Sequence, residues 1–119
     1  MNPFVLAEHV YLATEPCDMR RGAESLAKMV EAKFGRKAAD GSLYVFVSKD
    51  AKKLKMLKFD TGGWILYYLK LCEDTFKWKV QDNGIGCIAV DRRALLWLLE
   101  GFSLGELKEQ KPLTATRLL

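Results

Sequence analysis

Between Leu43 and Val80 the chain reads as four short apolar runs: Leu43–Ser48, Lys53–Phe59, Trp64–Leu71 and Phe76–Val80. The breaks between them are Lys49–Lys52, Asp60-Thr61-Gly62-Gly63 and Cys72-Glu73-Asp74-Thr75, each of hairpin length. Runs this short, punctuated this regularly, are expected to pair as an antiparallel meander. Pairing the runs through those turns sets Lys53 opposite Lys70, and Lys70 opposite Lys77. One step along, Lys55 falls opposite Tyr68, and Tyr68 opposite Lys79. Like charges directly opposite one another destabilise a sheet. Stability alone does not account for these lysines, and a polyanion is the partner that would.

Alternation within the runs divides the meander into two faces. One carries Leu43, Val45, Val47, Leu54, Met56, Ile65, Tyr67, Leu69, Leu71, Phe76, Trp78 and Val80, is apolar apart from Lys58, and is expected to pack under helices. The other carries Tyr44, Phe46, Ser48, Lys53, Lys55, Tyr68, Lys70, Lys77 and Lys79. Toward the Asp60–Gly63 turn this second face holds Leu57, Phe59, Trp64 and Leu66, an apolar patch for a tail or another subunit to cover. Lysines interleaved with aromatics suit a single-stranded or distorted nucleic acid. Ammonium groups neutralise phosphates, and rings offer stacking worth roughly 1–3 kcal/mol per base. A duplex would use the lysines alone, with an affinity falling steeply in salt. The plainer alternative is that the lysines keep a sheet face wet and blunt its edges.

The flanks predict helices. Val10-Tyr11-Leu12 reads as a short strand. Asp18 then caps a helix to about Phe34, with Met19, Ala23, Leu26, Met29, Val30 and Phe34 at helical spacing and Gly35 at C′. Asp82-Asn83-Gly84 is a turn and Ile85–Val90 a strand. Asp91 caps a second helix, Arg92–Glu100, whose core Ala94–Leu99 is apolar nearly all round and so expected to be buried. Arg20-Arg21 and Arg92-Arg93 each follow a capping aspartate. Two arginines in a first turn beside free N–H groups form an anion site, unless a neighbouring carboxylate pairs with them. The expected architecture is an α+β domain over residues 1–102, an antiparallel sheet with two main helices packed mostly on one face. Residues 103–119, weakly patterned and holding Pro112, are expected to form a frayed or partner-dependent tail.

Other chemistries are poorly supplied. The chain has 119 residues, 50% hydrophobic and 29% charged, enough to bury a core. A net charge of +4 is compatible with nucleic acid without being diagnostic. Cys17, Cys72 and Cys87 are odd in number and form no CxxC, which argues against a disulfide framework or zinc site and for a reducing cytosol. His9 is the sole histidine. No apolar stretch has the length of a membrane span, and Met1–Val10 lacks the regions of a signal peptide. There is no GxSxG, Walker loop, HExxH or Cys–His pair. Asp18, Asp60 and Asp91 are acidic candidates for metal-dependent strand cleavage, but they sit where aspartate caps helices or makes turns. No catalytic residue, metal or cofactor is therefore expected.

The motifs also occur in a recognisable order. Asp18-Met19-Arg20-Arg21-Gly22, Gly41-Ser42-Leu43-Tyr44-Val45-Phe46, Lys53-Leu54-Lys55-Met56-Leu57 and Asp60-Thr61-Gly62-Gly63-Trp64 come first. Tyr68-Leu69-Lys70, Phe76-Lys77-Trp78 and Leu98-Leu99-Glu100-Gly101 follow. Together, over Val10 to Gly101, they resemble the small accessory protein, the second reading frame product or TnpB type, of the insertion sequence 66 family. Members usually carry an arginine-rich turn after the phenylalanine matching Phe46; here it reads Val47-Ser48-Lys49-Asp50-Ala51-Lys52. Lysine keeps the charge and loses the bidentate fork. The resemblance implies a bacterial mobile-element protein needed beside a larger transposase that does the cutting and joining, and it carries over no catalytic residue. Joined to the lysine pattern, it leads to an accessory factor for DNA transposition. Lys53, Lys55, Lys70, Lys77 and Lys79 would hold transposon DNA, with Tyr68 and Phe46 at the centre and Arg20 and Arg21 as a second anion site. Its partners would be that DNA, the transposase and other proteins of the element, and in some assemblies a second copy, with no membrane. The rival expectation is a module that docks the transposase or itself through Leu57, Phe59, Trp64 and Leu66, without DNA.

Overall fold

The computed structural model describes residues 9–73, 75–78 and 80–100; Lys79 and the tail at 103–119 lie outside them. In chain order the elements are β1 (Val10–Ala13), α1 (Ala23–Met29, continued by a π-helical turn, Val30–Phe34), β2 (Leu43–Val47), β3 (Lys53–Asp60), β4 (Gly63–Lys70), β5 (Cys87–Val90) and α2 (Arg92–Leu99). One five-stranded sheet runs in the order β4-β3-β2-β1-β5. The class is α+β with a mostly antiparallel sheet and two main helices, as the patterning predicts. Strands β2, β3 and β4 form the meander in the expected register, with Lys53 opposite Lys70 and Lys55 opposite Tyr68. Gly35, at φ 66°, ends the first helix as expected.

The fourth run does not join the meander. After β4 the chain turns back at Leu71, whose N–H donates to the Lys52 carbonyl at 2.8 Å, and Phe76 N–H donates to the Ala51 carbonyl at 2.6 Å. Phe76 is buried in the core beneath α2, and the Trp78 indole N–H reaches the Ala13 carbonyl at 3.1 Å. The run thus crosses the α2 side of the sheet on its way to β5. Among the described residues no strand takes the position expected for it beside β4, and β5 pairs with β1 at the other end.

Nor do the helices share a face. Strands β1 and β2 lie side by side and parallel, Val10 opposite Leu43. A parallel pair needs a crossover connection, so α1 must pass over one face of the sheet. There Leu26, Met29, Val30 and Phe34 pack with Tyr44, Phe46 and Leu57. Helix α2 follows β5 and covers the opposite face, where Ala94, Leu95 and Leu98 meet Leu12, Val45, Leu54 and Ile88. Strand β2, Leu-Tyr-Val-Phe-Val, is consequently buried at every position, as a strand covered on both sides must be.

Local chemistry secures these layers. The Tyr44 hydroxyl donates to Asp40 Oδ2 at 3.0 Å and accepts from Arg36 Nε at 3.2 Å. The Arg36 guanidinium lies 4.0 Å over the Tyr11 ring. This set pins the α1–β2 connection to the sheet, and burial pushes the Tyr44 phenol well above its ordinary pKa. Lys58, buried on the α2 side, keeps its ammonium 3.9 Å from Asp60 Oδ2. Asp91 caps α2 as expected, accepting from Ala94 N–H at 2.7 Å. That helix is not buried all round: Leu96 and Trp97 are exposed among the described residues.

Candidate nucleic-acid interface

The basic residues gather where β3 and β4 meet the turn that leads into α1. Lys53 and Lys70 are directly opposite each other, and Lys55 and Tyr68 form the next pair on the same face. Tyr68 is 54% exposed. The Lys55 ammonium stands 5.4 Å from the Tyr68 ring centroid and donates to the Arg21 carbonyl at 2.8 Å. The two anion sites expected separately are therefore neighbours: one contact of Lys55 joins the strand lysines to the Arg20-Arg21 turn.

The turn differs from its expected form. Helix α1 begins at Ala23 with Gly22 as its N-cap, so Asp18 does not cap it and Arg20 and Arg21 precede its first turn. Glycine at 22 and the short-range bonds of Asp18 explain the shift. Arg20 N–H donates to Asp18 Oδ1 at 2.9 Å, and Arg21 N–H to the Asp18 carbonyl at 3.3 Å. The Arg20 side chain then grips the same carboxylate, Nε at 3.0 Å from Oδ1 and a terminal nitrogen at 2.7 Å from Oδ2. This fork holds the Asp18 carboxyl well below the usual carboxylate range. Its cost for anion binding is plain, since Asp18 offsets the Arg20 charge. Arg21 donates to the Ser25 hydroxyl at 2.9 Å and, among the described residues, has no such carboxylate as a hydrogen-bond partner.

A shallow groove continues the rim, lined by Cys17, Asp18, Met19 and Arg20 on one side and Ser48, Lys49, Asp50 and Lys53 on the other. Lys49 and Lys53 thus extend the positive surface around the β2–β3 turn. Asp50 is occupied with the turn itself: the Ser48 hydroxyl donates to it at 2.7 Å and Lys52 N–H at 3.1 Å, and these bonds lower its pKa. Burial pushes the Cys17 thiol up, against the lowering influence of Arg21. Among the described residues no group of three or more His, Cys, Asp or Glu side chains is placed to hold a metal ion.

The remaining expected site residues are dispersed. Phe46 is fully buried under α1 and offers no ring to a base; alternation put it on the lysine face correctly, but the crossover helix covers that part of the face. Leu57 is fully buried for the same reason, while Trp64 and Leu66 are partly buried against the α1 core. Phe59 meets Trp64 edge to face with centroids 4.9 Å apart. Of the expected apolar patch, Leu57 is thus covered from within the chain, while Phe59, Trp64 and Leu66 remain partly exposed. Lys77 is exposed, but it lies between Phe76 and Trp78, which both pack on the α2 side. It does not stand opposite Lys70 and belongs to the other side of the sheet. Lys79 lies outside the described residues. Lys49 is the residue missing from the expected set; its only signal was its place in the turn after Phe46.

These motifs and this fold define a small, basic α+β protein with a lysine-rich sheet face. The chain belongs to the IS66 Orf2-like family, whose model matches residues 8–109. An uncharacterized protein of Sinorhizobium fredii (strain NBRC 101917 / NGR234), y4hO, is 34% identical over 92 residues, covering 77% of this chain and 78% of the relative. No solved structure matches. No helix among the described residues is long and apolar enough to cross a membrane.

Proposed function

We propose that this protein is a non-catalytic accessory factor for DNA transposition that holds transposon DNA on the rim formed by Lys49, Lys53, Lys55, Tyr68, Lys70 and Arg21. Family membership supports the transposition role. The observation that carries the DNA reading is the direct opposition of Lys53 and Lys70 beside the Lys55–Tyr68 pair, an arrangement that costs stability and is relieved by phosphate. Arg20 contributes less than its neighbours, because Asp18 already neutralises it. In this reading the protein works in the bacterial cytoplasm with the transposase of the same element, which performs the strand chemistry. The rival reading, docking of the transposase through Leu57, Phe59, Trp64 and Leu66 without DNA, loses Leu57 to the α1 core and keeps Phe59, Trp64 and Leu66 partly exposed.

Fluorescence anisotropy tests the proposal, with the element's terminal repeat, a scrambled duplex and a single strand, each at several salt concentrations. Binding that weakens with salt is expected. The double variant K53E/K70E should lose most of it, with a salt slope shallower by roughly 2, about one unit for each phosphate contact removed. No binding at low salt, or an unchanged slope in a folded K53E/K70E protein, would reject the rim as a site.

A further inference from the structure

The outward backbone groups of β4 have no part in the proposed function. This strand ends the sheet, and the chain leaving it crosses the α2 side instead of running back along it. Its loop to β3 decides which backbone groups face outward. Thr61 and Gly62 both have positive φ, 50° and 81°, the two-residue type I′ hairpin loop. Such a loop makes Asp60 and Gly63 a hydrogen-bonded pair, and bonded pairs then alternate along the ladder. The bond from Leu71 N–H to the Lys52 carbonyl continues that alternation. Ile65, Tyr67 and Leu69 therefore turn their N–H and C=O groups toward β3. Trp64, Leu66, Tyr68 and Lys70 turn theirs outward, and no strand pairs with them among the described residues.

Proteins usually blunt such an edge with charge, proline, a bulge or a short strand. Strand β4 is 8 residues long, Gly-Trp-Ile-Leu-Tyr-Tyr-Leu-Lys, pairs with β3 without a bulge, and has a charge only at its last position. Tyr68 is exposed on the face shared with α1 and Leu69 on the opposite face.

We infer that β4 is a homodimerisation edge, where two copies pair β4 to β4 antiparallel about a twofold axis and join their sheets into one. A second copy is the occupant that fits because it brings a strand of equal length with outward groups at the same spacing. Centring the axis on Tyr67 uses every outward residue of both copies. Leu66 then faces Tyr68 of the partner subunit, and Lys70 faces Trp64 of the partner subunit, an ammonium against an indole. The two Lys70 residues stay about 20 Å apart along the strands, since six residues at roughly 3.4 Å each separate them. An axis normal to the sheet leaves both α1 helices, and both basic rims, on one side of the dimer. This assembly does not depend on DNA.

Analytical ultracentrifugation of the full chain, without DNA, tests it. The wild type is expected at twice the mass of the chain. Tyr68→Pro removes an outward N–H and no bond to β3, so the mass should fall by half while the circular dichroism stays that of a folded protein. Tyr68→Lys, which keeps the backbone intact, should shift the dimer toward monomer in the same way. Should the proline variant fail to fold, amide exchange of Leu66 and Tyr68 in the wild type decides, because only an added strand protects those groups. Protection that falls on dilution supports the dimer. A monomeric wild type overturns it, as does a dimer whose mass survives in folded Tyr68→Lys. Protection of Leu66 and Tyr68 in a protein of single-chain mass also overturns it, since a segment of the same chain would then occupy the edge.

Discussion

The ammonium of Lys55 donates to the carbonyl of Arg21 at 2.8 Å, across 34 residues of sequence. One side chain thus ties strand β3 to the turn that enters α1, while its charge stays beside the Tyr68 ring. Lys55 is both a strut and a member of the basic rim. Lys55→Met should therefore lower stability by about 1 kcal/mol, the net worth of one hydrogen bond from a partly exposed group, and weaken DNA binding as well. Urea denaturation and anisotropy on the same protein check the two effects.

Lys70 separates function from stability more cleanly. It faces Lys53, and replacing it by glutamate turns a repulsion into an attraction. Lys70→Glu should stabilise the fold by roughly 0.5 kcal/mol while reducing DNA affinity. A variant that gains in denaturation midpoint and loses in binding would show that the opposed lysines are kept for a ligand. Loss of both would mean that Lys70 supports the fold in another way.

Asp18 restrains Arg20, so Asp18→Asn should tighten DNA binding and steepen its salt dependence. The same pair has a defined pH signature. The Arg20 fork depresses the Asp18 pKa in the folded state. Its stabilisation is then fully present above the ordinary carboxylate pKa and is lost as the pH falls through the lower folded value. Asp50, depressed by Ser48 and Lys52, has the same sign. Denaturation midpoints of wild type and Asp18→Asn should differ by a constant amount above about pH 5 and converge in more acid solution.

The β3–β4 loop holds Thr61 at φ 50°, a region that a β-branched residue enters at a cost. Its hydroxyl bond to Asp60 Oδ1 at 2.9 Å offsets part of that cost. Thr61→Asn, which makes the Asn-Gly pair favoured in this turn type, should raise stability by about 1 kcal/mol. Thermal unfolding checks it, and the Lys53–Lys70 register should be unaffected.

Gly86 supports α1 from below. A Cβ there would lie 3.1 Å from the Phe34 ring, on backbone at φ 103°. Gly86→Ala should cost about 2 kcal/mol through strain and overpacking together, measurable as a lower denaturation midpoint. Gly84, also at positive φ but with open space around it, should cost less when changed to alanine.

Much of this protein was legible in its residues. Short apolar runs with turn-rich breaks determined the β2–β3–β4 meander, because alternation and loop length leave one good register; Lys53 opposite Lys70 and Lys55 opposite Tyr68 followed from it. Gly35 and Asp91 marked helix ends through local chemistry that needs no tertiary contact. The course of the fourth run depended on competition for the Phe76 and Trp78 side chains, which the core below α2 won over the sheet edge. Only the tertiary structure decided that β1 lies parallel beside β2. That pairing is long-range, carries no local signal, and forces α1 across the face that alternation alone had left to solvent. Phe46 and Leu57 were buried by that crossover. By the same packing the Arg21 carbonyl was brought within reach of Lys55, and two basic segments distant in sequence became one surface.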